Sequence, residues 1–460
     1  MSGADEPGFS FTAAREALVR RFGGGLLGAL WMVAAAAAAT RVAATIKELV
    51  VANRFGTGDA LDAFLIAFAL AVFIASTFRS AFFSSFVPRF LEAGVRGGPE
   101  GASDLLRRVL LVQLVMLAAL ATGLALCAGP IVTVIAGAFP PDKRELTRQL
   151  IVMLAPFVVL DGAAGIYTAT LNARGRFVNA ALLATIPPLV TLAAVATLSG
   201  RFGVYTLAGG AVLGAVVEVL ASAALVRSEG LHVLPVIARP GAHGMEFLSG
   251  FAILAGGAAL MSANTVVDQA MAATAGGGSV ASLGFGVKIP AALLGLAGLA
   301  LSTTTLPLYS ELAAGRRWNE LKAALRRHAL RVGAAGAAGA VALALVSHPL
   351  VALLFEHGSF GSADTARVAT IQALYALQLP GFLVGVLAAR CLNALGRDRW
   401  TLVVSASIFV LNFVGDWVLL RFFGVPGIAL STALCYGVAS SVMLILCRRA
   451  IRENAASYTA

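Results

Sequence analysis

Twelve apolar stretches, each long enough to cross a bilayer, follow one another from residue 25 to residue 447. They lie near 25–52, 60–86, 105–128, 149–171, 178–199, 203–226, 247–274, 280–306, 329–355, 366–393, 401–420 and 425–447. A hydrocarbon core about 30 Å thick takes about 20 apolar residues per helical pass. Inside it every backbone N–H and C=O must be bonded within the protein, so such stretches fold as helices. Charged residues make up only 12% of the chain, about half of what a soluble domain carries. The expected fold is therefore an all-α integral membrane protein of about twelve transmembrane helices. The polar opening "MSGADEPGFSFTAAREALVRRFGGG" contains no short apolar region ending in small residues, so no cleaved signal peptide is expected.

Counting basic residues between the stretches orients them. Seven fall on one side: Arg54, Lys143, Arg144, Arg148, Arg201, Arg367 and Arg421. Five lie too deep in the stretches to be assigned to a loop, and the remaining 22 of the 34 Lys and Arg residues, some at the stretch ends, fall on the other side with both termini. Basic loops stay in the cytoplasm, so both termini are expected there. The net charge of +11 is explained by this topology and by anionic lipid headgroups, with no need for a nucleic-acid partner.

The stretches also repeat. "LNARGR" at 171–176 recurs as "LNALGR" at 392–397, and the same offset of 221 carries "FGV" at 202–204 onto 423–425. An offset of 219 carries "FVPRFLEA", with Pro88, onto "TLPLYSEL", with Pro307, and "LRR" at 106–108 onto 325–327. Four phrases in one order imply two homologous six-helix bundles, 1–240 and 241–460, joined by "PVIARPGAHG". Six is even, so both enter the membrane the same way up. Such parallel repeats place a cavity between the halves and open it to each side in turn by rocking.

Charges inside the stretches are costly and mark function by default. The basic ones are Arg41, Lys47, Arg79, Lys288 and Arg390. Arg41, Thr45 and Glu48 share one helical face, so Arg41 and Glu48 are either a structural pair or part of a site. Lys47 lies on another face near the outer end, where snorkelling is the ordinary reading. Arg390 reads as an interface anchor. Arg41, Arg79 and Lys288 fall in corresponding early helices of the halves, and a cationic cavity suits phosphate or pyrophosphate.

The acids suggest a second group. Asp268, Asn412, Asp416 and Thr432 offer oxygen ligands of the kind a hard cation takes, and Asn412 and Asp416 share a face. The alternative is an Asp268 paired with a basic residue and an Asp416 near the outer end. Asp161 and Glu218 find no evident partner and are open to proton coupling or polar packing. Cys127, Cys391, Cys435 and Cys447 have no CxxC spacing, and the five histidines are scattered. Neither a zinc site nor a disulfide is expected.

The run "TRVAATIKELVVANRFGTGDALDAFLIAF", with "FRSAFFSSFVPRFLEAG" after it, resembles the opening of the MviN/MurJ lipid II flippases, in the multidrug/oligosaccharidyl-lipid/polysaccharide exporter superfamily. "GGGSVASLGFGVKIPAALLGLAGLALSTTTLPLYSELAAG", "LFEHGSFGSADT" and "LNALGRDRW" continue the likeness over nearly the whole chain. The resemblance implies a V-shaped pair of bundles that moves an undecaprenyl-pyrophosphate-linked sugar from the cytoplasmic to the periplasmic leaflet of the bacterial inner membrane. It maps the family's cavity cations onto Arg41, Lys47 and Lys288, its helix 1 to 2 aspartate onto Asp62, and the sodium site of some members onto Asp268, Asn412, Asp416 and Thr432. Where the family often carries adjacent basic residues in helix 2, this chain has Ala75 and Ser76, with Arg79 a turn later. Lipid II flippases also commonly carry two further helices, whereas this sequence stops at "CRRAIRENAASYTA". The cargo is thus lipid II or another polyprenyl-linked glycan.

The expected protein is a flippase and not an enzyme, a monomer among membrane lipids with no cofactor unless sodium serves as coupling ion. The alternative is an ion-coupled small-molecule exporter on the same superfamily fold. A membrane-embedded glycan transferase would need paired carboxylates near a metal, and no DxxD or DDxxD run is present.

Overall fold

The computed structural model describes residues 25–236 and 243–456; the polar opening and residues 237–242 of the "PVIARPGAHG" join lie outside the described residues. Fourteen helices follow one another: α1 (Gly25–Phe55), α2 (Asp59–Leu126), α3 (Ala128–Ile135), α4 (Pro141–Ala173), α5 (Phe177–Leu183), α6 (Ile186–Phe202), α7 (Tyr205–Ser228), α8 (His243–Ala273), α9 (Ser279–Ala314), α10 (Trp318–Phe355), α11 (Ser362–Ala376), α12 (Gln378–Ala394), α13 (Asp398–Phe423) and α14 (Val425–Ala456).

By length and apolar sequence these described helices correspond to twelve passes. α2 holds two of them, because Gly98, with φ 62°, leaves helical geometry between Pro88 and the second pass. The chain doubles back there, so Leu61 and Leu70 share a core with Leu117 and Leu124. The fifth pass is α5 followed by α6, broken at Thr185 ahead of Pro187 and Pro188. The tenth is α11 followed by α12, broken at Leu377 ahead of Pro380. Proline removes a backbone donor and disfavours helix in the residue before it.

The repeated phrase folds alike in both places. After α4, Gly175 takes φ 75° and Arg176 N donates to Leu171 O at 2.8 Å. After α12, Gly396 takes φ 66° and Arg397 N donates to Leu392 O at 2.9 Å. This is the glycine-terminated helix end in which the next residue's N–H bonds back across the last turn. The "FGV" glycines agree, Gly203 at φ 55° and Gly424 at φ 63°.

Apolar packing sets the V. At the outer end one core joins Val51, Leu61, Ile151 and Leu207 to Val280, Phe285, Phe355, Phe360 and Ile428. Toward the cytoplasmic end the cores separate, one around Phe82, Phe90, Leu106 and Leu183, another around Tyr309, Leu321, Cys391 and Cys447. α8 bridges them, packing on α2 and on α13. The two six-helix bundles are joined at the outer end and carry their own cores inside.

Candidate functional site

The outer seam is built on the short "FGTGDALD" turn. Gly56, at φ 56°, ends α1, and Asp59 and Asp62 fill the first turn of α2. Asp62 is fully buried and accepts three hydrogen bonds. Gly278 N and Ala281 N donate to it, each at 2.7 Å, and so does Lys143 Nζ, at 2.7 Å. The two amides belong to the start of α9, where helix N–H groups have no partner of their own and favour an anion. One bundle's carboxylate thus caps a helix of the other. Lys143, placed among outer loop residues by the sequence, is instead buried and also reaches Asp59 at 2.7 Å. Nearby, Ser359 N donates to Asn53 O at 2.8 Å, and the Thr57 hydroxyl donates to Asp364. Asp62 therefore pairs with Lys143 in the seam and not with the inner cations with which the sequence grouped it. Its partners 81, 216 and 219 residues away left no sequence signal beyond the neighbouring Asp59 and the glycine-rich "AGGGS".

Below the seam lies a cavity of about 80 Å³, lined by Lys47, Glu48, Phe64, Phe68, Phe285 and Lys288 among others. Glu48 pairs with Lys47 at 2.8 Å and with Lys288 of the other bundle at 3.1 Å. The Arg41–Glu48 alternative is thus not what forms. Arg41 is exposed and reaches across to α9, where a Cβ on Gly295 would stand 3.2 Å from its Nη2. No carboxylate among the described residues pairs with it. Three of the expected cations therefore face the space between bundles, with one acid among them.

Arg79 does not join them. It is turned into the first bundle, where Nε donates to Asp161 Oδ2 at 3.1 Å, and Nη2 donates to Oδ1 at 2.5 Å and to the Asp161 carbonyl at 3.0 Å. Asp161, expected without a partner, is the other half of a bidentate pair. Gly165 makes room, since a Cβ there would stand 3.0 Å from Arg79 Cγ. Glu218 of α7 is buried beside the pair.

In the second bundle, Asn412 Nδ2 donates to Asp268 Oδ1 at 2.9 Å and to Asp416 Oδ2 at 3.0 Å. α8, α13 and α14 bring this group together, and no basic residue pairs with Asp268 among the described residues. Asp268, Asn412 and Thr432 line a cavity of about 600 Å³. Thr432 Oγ1 meanwhile bonds its own helix at Ile428 O, 3.1 Å away. Asp416 is fully buried, and its Oδ1 has no hydrogen-bond partner. An acceptor left bare in a dry place suits a cation. Ser431, which the sequence did not single out, adds a hydroxyl 3.4 Å from the Asn412 carbonyl.

Comparison with known proteins places this arrangement. The chain is similar to a probable lipid II flippase MurJ of Synechocystis sp., 25% identical over 416 residues, 87% of this chain and 77% of that one. It is also similar to one of Rhizobium meliloti, 29% identical over 364 residues, 76% and 67% of the two chains. In fold it matches a lipid II flippase MurJ in an inward closed conformation, with TM-score 0.77 and 21% identity over 92% of this chain and 89% of that one. It also matches an inward-facing MATE multidrug resistance transporter, with TM-score 0.73 and 15% identity over 91% and 95%. The sequence profile described as lipid II flippase MurJ spans residues 51–458, and the chain belongs to that family.

Proposed function

We propose that this protein is an alternating-access flippase of the bacterial inner membrane. Its cargo is a polyprenyl-pyrophosphate-linked sugar precursor, lipid II or a related cell-envelope glycan intermediate, carried from the cytoplasmic to the periplasmic leaflet. The observation that carries this reading is the convergence of Arg41, Lys47 and Lys288 on the space between bundles, opposed among the described residues by Glu48. The excess positive charge matches a pyrophosphate diester, which is a dianion. Arg41 supplies paired donors for phosphate oxygens, and the lysines supply compact charges.

Pockets for drug-sized ligands run to about 300–1,000 Å³, so the central cavity of about 80 Å³ must widen to admit a glycan headgroup. The bundles are jointed for that at the outer seam. One chain provides both cavity walls, so a monomer suffices, and translocation breaks no covalent bond. Asp268, Asn412, Asp416 and Thr432 would hold sodium, with the Asn412 amide offering its oxygen. A bound cation would neutralise the buried carboxylates and favour the bundle arrangement that binds it better.

The test is complementation of a strain depleted of its lipid II flippase. The intact chain restores growth, whereas Arg41→Ala and Lys288→Ala do not, at equal abundance in the membrane. Failure of the intact chain to complement, together with acquired resistance to cationic drugs, would replace this reading with an exporter.

A further inference from the structure

The first bundle holds a group of charges that the seam, the central cavity and the cation cluster leave unused. Arg79 of α2, Asp161 of α4 and Glu218 of α7 meet inside it. Arg79 spends its guanidinium on Asp161, making two bonds to the carboxylate and a third to the carbonyl. Glu218, 4% exposed, has no hydrogen-bond or ion-pair partner among the described residues. It is near enough to interact electrostatically with both Arg79 and Asp161. α7 packs on α2, α4, α5 and α6. Their other charged residues lie toward the ends of the passes: Asp59, Asp62 and Lys143 at the outer seam, Asp142, Arg144, Glu145 and Arg148 in the first turns of α4, Arg89 to Arg108 on either side of the Gly98 turn of α2, Arg201 in the last turn of α6 and Arg227 in that of α7. Gln113, fully buried, donates to the carbonyl of Gly162 beside Asp161 at 3.0 Å, and its own Oε1 is unpartnered. The site therefore contains one cation, two carboxylates and neutral groups.

We propose that Glu218, facing the Arg79–Asp161 pair, is a proton-binding site in the first bundle, loaded when the site is dry and emptied when the bundles rearrange and water reaches it. The reason is charge balance. One guanidinium neutralises one carboxylate; a second, unpaired carboxylate in a medium of low dielectric is expensive enough to take up a proton instead. The proton comes from bulk water on one side, adds to one Glu218 oxygen, and returns to water as the carboxylate reforms. An ionised Glu218 then competes with Asp161 for Arg79. That competition pulls on α2, which carries Asp62 of the outer seam 17 residues earlier, about 26 Å along the helix.

Because the proton binds the arrangement seen here, with Glu218 buried, more tightly than one in which water reaches that carboxyl, lowering the pH favours the closed outer seam and raising it favours opening. This depends on alternating access but not on the cargo, and the experiment uses no substrate.

The full chain, with Cys127→Ser to remove the exposed cysteine, carries spin labels at Val134→Cys and Phe422→Cys, exposed positions of opposite bundles at the outer end. The distance between labels is followed against pH in lipid nanodiscs at constant sodium and ionic strength. The parent protein moves from a short to a longer distance with a one-proton titration. Glu218→Gln stays at the short distance throughout, whereas Asp268→Asn with Asp416→Asn still titrates. A parent that ignores pH, a Glu218→Gln protein that titrates like the parent, or a response lost only with the second-bundle aspartates would each overturn the proposal. If Glu218→Gln does not purify as a single species, infrared spectra of the Asp268→Asn, Asp416→Asn protein decide. The C=O stretch of a protonated buried carboxyl must be present at low pH and vanish as pH rises, and its absence at low pH overturns the proposal.

Discussion

At the residue scale, a charge inside a membrane helix demands a partner, and the partner decides what its loss does. Arg79 and Lys288 read alike in the sequence, as cations in early helices. Arg79 is clamped by Asp161, whereas Lys288 shares Glu48 with Lys47. Arg79→Ala leaves the half-buried Asp161 carboxylate, beside the buried Glu218, without a cation. Removing one partner of a buried pair costs about 3–5 kcal/mol, and the low end applies because the Arg79 side chain is 33% exposed. The expected outcome is a marked fall in thermal stability, measured by fluorescence-detected gel filtration after heating, with recovery on adding Asp161→Ala. Lys288→Ala leaves Glu48 paired and should unfold at the parent temperature while failing in complementation. Equal stability of Arg79→Ala and the parent would mean that water already compensates the pair.

At the element scale, glycines place the helix ends and prolines divide the passes. The "AGGGS" connection into α9 separates two effects that glycine has. Gly276 and Gly278 both lie at positive φ, 105° and 74°. At Gly276 a Cβ meets nothing within 4 Å, whereas at Gly278 it would collide with the Thr57 carbonyl across the seam. Left-handed backbone costs a side chain about 1–2 kcal/mol, a term common to both sites. Gly278→Ala adds the collision and disturbs the N–H that Asp62 accepts. It should therefore lower stability further and lengthen the Val134 to Phe422 label distance, while Gly276→Ala changes stability alone. Identical label distances in the two variants would show that the seam absorbs the methyl group.

At the scale of the whole molecule, the two bundles share a core at the outer end and are bridged by α8, so anything that binds one arrangement better moves both. The Asp268, Asn412 and Asp416 group gives this a measurable form. If sodium binds there, it shifts the label distance in proportion to its differential affinity for the two arrangements, and potassium at equal ionic strength does not. Asp416→Asn keeps the volume but removes the carboxylate whose Oδ1 has no partner, and should abolish the sodium response while sparing the pH response assigned to Glu218. A full sodium response in Asp416→Asn would return the group to polar packing.

The twelve passes and the repeat were legible in the residues because the bilayer restricts the choices. An apolar run of fixed minimum length has only the helix available, and "LNxxGR" writes the same glycine-terminated helix end twice. Asn412 and Asp416 were legible as neighbours because four residues is one helical turn. What the sequence could not decide was which charge meets which. Arg79 finds Asp161 across 82 residues and Asp62 finds Ala281 across 219, and neither distance leaves a periodic trace. Those meetings depend on how far each helix is rotated and how deep it sits. Both are set by packing between helices: Gly165 yields space to the Arg79 side chain, and the shared outer core brings the start of α9 onto Asp62.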